Sequence, residues 1–315
     1  MTNPVTGSPQ FPPPTSATIF INPHASSGRA LAMLPRLQKL FEELSFTAQF
    51  VTTKTSQELE DRVREAIAGG EKLLLALGGD GTFQGLINAA FGSDVILGVI
   101  PAGGGNDFAA ALGLPRDPLE AAKAVLRGSP RFVDLVRVRT AEGQTRLYAG
   151  GGGVGLDAEA ARFASGAFRH FPGRTRYIAS ALRALAGFVP LDLRLEFPDS
   201  DISAQESKAF VAAVLNSPSY GAGLKLAPGA TIDDGSLDVV LIQDLEALEI
   251  LALLPRLMAS GELRNSRVKR WQAKQVRITT SKSCIFHGDG EVLGSTPVEL
   301  EVVPKAISVL APWPR

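Results

Sequence analysis

The chain has 315 residues, 45% hydrophobic and 20% charged, an ordinary globular composition with room for two domains at roughly 150 residues each. Lysine plus arginine and aspartate plus glutamate number 32 each, so no net field draws nucleic acid, and a nucleic-acid partner is not expected. Cys284 is the only cysteine, which excludes an intrachain disulfide and fits a reducing, cytoplasmic compartment.

Residues 1–16 place Pro4, Pro9 and Pro12 to Pro14 among polar side chains and read as a disordered tail, without the basic and apolar regions of a secretory signal. No apolar run approaches the ~20 residues that cross a bilayer, so a soluble protein is expected. Ala17 to Asn22 reads as a buried strand, Arg29 to Leu44 as a helix, Phe46 to Thr53 as a strand and Ser56 to Ala68 as a helix. The apolar run Lys72 to Leu77 ends in Gly78-Gly79-Asp80-Gly81 before a helical stretch, Thr82 to Phe91. Val95 to Ile100 ends in Pro101-Ala102-Gly103-Gly104-Gly105-Asn106-Asp107. This alternation implies an open α/β sheet over 17–134.

From 135 to 304 the rhythm is mainly β. Strands are expected near 132–139, 145–149, 191–197, 210–215, 237–242, 275–280, 283–287, 298–303 and 307–310, with helices near 157–165, 174–188 and 244–260. Many strands with few crossovers suggest an antiparallel, sandwich-like domain. Residues 305–315 form a C-terminal segment whose return to the first domain is left open.

The chemistry gathers in three loops that each follow an expected strand: Asn22 to Gly28, Gly78 to Thr82 and Pro101 to Asp107. In a parallel sheet they share the carboxyl edge, where ligands bind. Glycines admit close backbone approach to phosphate, and a following helix start offers free N–H groups. Three such loops suit a nucleotide polyphosphate, with Gly103, Gly104 and Asn106 among its contacts. Neither a Walker loop nor a Gly-x-Gly-x-x-Gly fingerprint is present.

These residues resemble the catalytic domain of bacterial soluble diacylglycerol kinases, relatives of sphingosine and ceramide kinases. The resemblance rests on Asn22-Pro23 with Gly28, Gly78 to Thr82 and Pro101-x-Gly103-x-x-Asn106-Asp107-Phe108-Ala109. It continues in Gly153-x-Gly155-x-Asp157, in Ala227-Pro228 through Asp234-Gly235-x-Leu237-Asp238, and in Asp289-Gly290-Glu291. It spans roughly 17–312 and implies a phosphofructokinase- or NAD-kinase-like first domain, ATP and Mg2+ as cofactors, and a lipid alcohol met at the inner face of a membrane. A homodimer is a family expectation. ATP would lie between the domains on Asn22, Pro23, Ser26, Ser27, Gly28, Thr53, Gly79, Asp80, Gly81, Thr82 and Gly85. A structural magnesium would sit at Asp234 with backbone carbonyls near Thr231 and Ser236. Gln84-Gly85 stands where the family commonly has Asn-Glu, and Gly104 where it commonly has Thr.

Phosphoryl transfer needs positioning, charge neutralisation and an oriented nucleophile. Asp80, Asp107 and Asp134 are candidates for a magnesium and water network, with Asp80 at its centre. Glu291 is the candidate base, with Asp289 its helper or a metal-network partner, although Asp289-Gly290 also reads as a plain hairpin turn. His24 and His287 read as neighbours of the site. Basic and aromatic residues interleave from Arg162 to Phe188, which suits either an anionic bilayer or ordinary packing. The main reading is an ATP-dependent lipid kinase. A kinase of a soluble metabolite such as NAD, or a nucleotide-binding regulator without catalysis, are the alternatives.

Overall fold

The structure is a computed structural model. It describes residues 14–23, 28–156, 187–221, 223–245 and 265–312, with isolated positions between 159 and 185 and between 249 and 260. The helices expected at 157–165, 174–188 and 244–260, with the basic and aromatic residues between Arg162 and Phe188, lie mostly outside the described residues.

The first half alternates β1 (Ser16–Ile21), α1 (Arg29–Glu43), β2 (Thr47–Thr52), α2 (Ser56–Ala68), β3 (Leu73–Gly78), α3 (Asp80–Ala90) and β4 (Ile96–Pro101). The short α4 (Asp107–Ala111) and α5 (Pro118–Arg127) follow. β3 and β4 are buried along their whole length because helices cover both faces of the sheet, which is why they are continuous apolar runs. β2, β1, β3 and β4 lie side by side, all parallel. Their carboxyl ends, and the loops that leave β1, β3 and β4, therefore share one edge. Helix starts are set locally: Thr55 Oγ1 accepts the Glu58 N–H at 3.1 Å, and Asp117 caps α5 with Pro118 behind it.

The second half comprises β5 (Ser129–Arg139), β6 (Thr145–Tyr148), β7 (Gly151–Gly155), β8 (Leu191–Glu196), β9 (Gln205–Leu215), β10 (Leu237–Gln243) and β11 (Val268–Ala273). β12 (Gln275–Thr280), β13 (Ile285–Gly288), β14 (Glu291–Ser295) and β15 (Val298–Ala311) complete it. Within it the pairing is antiparallel. β9 changes neighbours along its length, pairing with β8 over 205–209 and with β7 over 211–215. Alternate β9 side chains enter two cores: Ala212 and Val214 pack with Val276, Phe286 and Val302, whereas Ala213 and Leu215 pack with Tyr220 and Val240.

The two halves share a strand. β15 pairs with β12 and β5, passes a bulge between Val303 and Ile307 with Lys305 at φ 50°, and then runs parallel to β4 at Ser308 and Val309. Continuous backbone hydrogen bonding along β15 therefore joins the two halves.

Candidate active site

At the carboxyl edge of the parallel sheet the turns after β3 and β4 touch. A Cβ on Gly103 would overlap Gly79 Cα and come within 2.7 Å of Asn106 Oδ1, so only glycine permits this approach. Asn106, at φ 60°, closes its own turn: its Oδ1 accepts the Gly103 N–H at 2.9 Å and its Nδ2 donates to the Gly103 carbonyl at 3.0 Å. Asp80 ties the turns together, accepting the N–H of Asn106 at 2.8 Å and of Phe108 at 3.2 Å. Burial pushes the Asp80 carboxyl up from its ordinary value, and amides of Phe108, Asp107 and Asn106 hold it back.

Opposite stands the β13–β14 hairpin. Asp289 and Gly290 both take positive φ, 50° and 86°, as a two-residue hairpin loop requires. The plain hairpin reading is thus correct as geometry, yet the Asp289 side chain has a further task. Its carboxylate accepts three consecutive backbone N–H groups, from Ala149 at 2.8 Å, Gly150 at 2.9 Å and Gly151 at 3.1 Å. Burial, with the charge of Asp80 second, pushes its pKa up to about 7 against the pull of those amides.

The hairpin delivers Glu291 onto the glycine turn. A Cβ on Gly81 would lie 2.5 Å from Glu291 Oε1 and 3.2 Å from its Cγ and Cδ. Although Glu291 is an exposed residue overall, burial against that turn pushes its carboxyl up. The 78–82 and 289–291 turns therefore face one another in contact.

The residues that hold this contact were not singled out from sequence as functional. Buried Gln84 donates its Nε2–H to the Gly288 carbonyl at 3.0 Å. Asn88 donates to the Leu147 carbonyl at 2.8 Å and accepts the Leu147 N–H at 3.0 Å. Gly81, Gln84 and Asn88 are spaced three and four apart, one stripe of a helix, and that spacing was the available signal. Buried Asn216 donates to the Asp134 carbonyl at 3.0 Å and the Ala149 carbonyl at 2.9 Å, placing the strand that feeds Asp289.

Other expected site residues fall as follows. Asn22 and Pro23 leave β1, Gly28 opens α1 at φ 90°, and buried Thr53 donates its backbone N–H to the Ile21 carbonyl at 3.0 Å, all at the shared edge. His24, Ser26 and Ser27 lie outside the described residues. Gly104 sits half-buried in the turn after β4, and Asp107 opens α4. His287 is buried, its Nε2 2.6 Å from the Tyr220 hydroxyl.

Three further expected residues, Asp134, Gly85 and Asp234, have contacts of their own. The Asp134 carboxylate, on β5, accepts the N–H of Gly235 and of Lys305, each at 2.7 Å, which ties β5 to the 231–236 turn and to the β15 bulge. Among the described residues no group of three or more acidic, His or Cys side chains is arranged to hold a metal ion by itself. Gly85 points at α2, where a Cβ would lie 2.7 Å from Leu59 Cδ2, so it is a helix-packing residue. At the turn 231–236, Asp234 accepts the Ser236 N–H at 3.0 Å, while Asp233 pairs with Arg131. One carboxylate with backbone carbonyls at Thr231 and Ser236 is an all-oxygen donor set that suits magnesium.

A parallel sheet with a glycine-lined carboxyl edge, closed by a carboxylate-bearing hairpin from a β-rich half, defines a two-part kinase-like fold. Residues 16–138 match the diacylglycerol kinase catalytic domain, and residues 152–311 match the YegS C-terminal NAD kinase beta sandwich-like domain. The chain is 31% identical to a diacylglycerol kinase of Mycobacterium tuberculosis over 248 residues, covering 78% of this chain and 79% of that one. It is 28% identical to a diacylglycerol kinase of Bacillus subtilis, covering 94% and 96%. A solved diacylglycerol kinase from Bacillus anthracis superposes with a TM-score of 0.68 at 19% identity over 94% of this chain and 97% of that one, which shows the fold. The chain belongs to the bacterial diacylglycerol kinase and YegS-like lipid kinase family. Among the described residues no helix is long and apolar enough to cross a membrane.

Proposed function

We propose that this protein transfers the γ-phosphate of ATP to the hydroxyl of diacylglycerol or a related lipid alcohol, with magnesium, at the inner face of a membrane. The observation that carries the reading is the seating of Glu291 on Gly81, which sets a carboxylate beside the turn whose amides suit phosphate.

In this reading the start of α3 and the Gly104–Gly105 stretch bind the polyphosphate, while the flanking Gly103 and Asn106 amides are spent on Asn106 and Asp80 and hold the turn in shape. The lipid oxygen attacks the γ-phosphorus, the bond to the β–γ bridging oxygen breaks, and ADP leaves. Glu291 accepts the hydroxyl proton, and its raised pKa makes it a stronger base than a free carboxylate. Asp289 holds the hairpin through the three amides of 149–151. A divalent cation bound with the nucleotide would neutralise phosphate charge, with Asp80 and Asp107 on the turns of that edge as its candidate carboxylates.

The test is incubation with γ-labelled ATP and a mixed lipid extract, followed by identification of the labelled product. A labelled phospholipid is expected, and Glu291→Gln should lower its formation by roughly 10²- to 10⁴-fold while ATP still binds. Labelling of NAD instead, or ATP binding without transfer to any acceptor, would overturn the reading.

A further inference from the structure

We propose that Gln84 is the positioning residue that sets the height of Glu291 over the phosphate-binding turn, acting through the Gly288 carbonyl. The inference rests on the assignment of Glu291 as base and adds a dedicated device for holding it.

Gly288 and Glu291 are direct partners in the β13–β14 ladder, separated only by the two-residue turn. A bond to the Gly288 carbonyl therefore constrains the backbone directly across from Glu291. The donor comes from the helix on which Glu291 rests: Gly81 lies beneath the Glu291 side chain, and Gln84 lies one turn further along the same face. Helix and hairpin thus meet at two adjacent points, one polar and directional, one a close contact that only glycine allows. Directional hydrogen bonds fix angle and distance, whereas the contact at Gly81 limits only approach.

The surroundings leave Gln84 little freedom. It is 6% exposed, so loss of its amide would strand the Gly288 carbonyl in a site with little water. One turn on, Asn88 clamps both backbone groups of Leu147 at the end of β6, near the Ala149–Gly151 amides that hold Asp289. α3 therefore grips the hairpin directly through Gln84 and its support through Asn88.

The test uses two shape-conserving variants of the full chain, Gln84→Glu, which presents a carboxylate to a carbonyl, and Gln84→Met, which removes the donor. Each is assayed alone and combined with Glu291→Gln, and amide hydrogen exchange is followed over 285–292. Either variant should lower kcat by roughly 10- to 100-fold, with KM for ATP unchanged because the 78–82 and 101–107 turns are intact. In the Glu291→Gln background the further loss should vanish, since Gln84 acts through that side chain. Exchange over 285–292 should rise at least tenfold in both variants, whether or not the acceptor has been found. Unchanged exchange, or the same fold-loss in both backgrounds, would overturn the proposal. If the wild type labels no lipid while exchange responds to Gln84, the kinase reading fails and the positioning role of Gln84 stands.

Discussion

The turn at 78–82 and the hairpin at 288–291 meet in direct contact, and they reach their shapes by different means. The first is made of absences: Gly79, Gly81 and Gly103 lack the side chains that would otherwise hold the two turns and Glu291 apart. The second is made of partners: a carboxylate collects three amides, and a glutamine amide binds the carbonyl at its base. A site made by omission tolerates no added atoms. A site made by hydrogen bonds tolerates shape changes better than the loss of a donor or acceptor. The halves should therefore fail differently when perturbed.

Of the three perturbations that test this contrast, the largest expected effect is at Gly103, on the side made by omission. In Gly103→Ala the new Cβ would overlap backbone at Gly79, which cannot swing away as a side-chain tip can. Overpacking of this kind costs about 1–3 kcal/mol. The strain falls where Asp80 ties the two turns, so KM for ATP should rise by tenfold or more and Tm should drop. Thermal unfolding and ATP titration check this. Wild-type nucleotide affinity with wild-type Tm would remove the contact between the turns from the argument.

The hairpin side is probed by pH. Asp289 has a folded pKa of about 7 against an ordinary 3.8. Between those values the folded chain keeps a proton that the unfolded chain has released, so the stability this group contributes is complete below about pH 4 and is lost as pH rises through 7. Its slope is at most about 1.4 kcal/mol per pH unit. Asp289→Asn removes the titration and keeps an acceptor oxygen for Gly150 and Gly151. Between pH 4 and 7 the wild-type Tm should therefore fall more steeply than that of the variant. Parallel curves would mean that Asp289 is already ionised in the folded protein at low pH, with the three amides outweighing burial.

The same contrast explains what the sequence disclosed. β3 and β4 were readable because burial on both faces demands unbroken apolar runs, and glycine turns are conspicuous in composition. α5 was missed although Asp117 and Pro118 mark its start. β7 was not readable as a strand: four of its five residues are glycine, a composition that argues against β structure. It forms because the 149–151 amides must reach Asp289 and because the rings of Tyr148 and Phe286 fill the space that side chains at Gly152 would need. β15 read as two strands because Pro304 and Lys305 look like a break, yet the ladder resumes beyond the bulge. Gln84 looked like a departure from a family pattern, and its partner is 204 residues away, beyond any local signal.

Gly85 gives the smallest expected effect and the sharpest separation of the two kinds of construction. The family resemblance implied a nucleotide contact there, whereas the structure aims its Cβ position at Leu59. In Gly85→Ala two terms oppose one another. Alanine is favoured over glycine inside a helix by about 0.8–1 kcal/mol. Against this, Leu59 Cδ2 must retreat from a 2.7 Å contact, and as the far end of a side chain it can turn aside at modest cost. The net change in stability should stay within about 1 kcal/mol of zero, and kcat and KM for ATP should be unchanged, because the nucleotide edge and the Gln84 stripe lie on other faces of α3. Steady-state kinetics with a melting curve decides the matter. A tenfold rise in KM with Tm intact would return Gly85 to the nucleotide, and the glycines of α3 would then serve the ligand beyond its first turn.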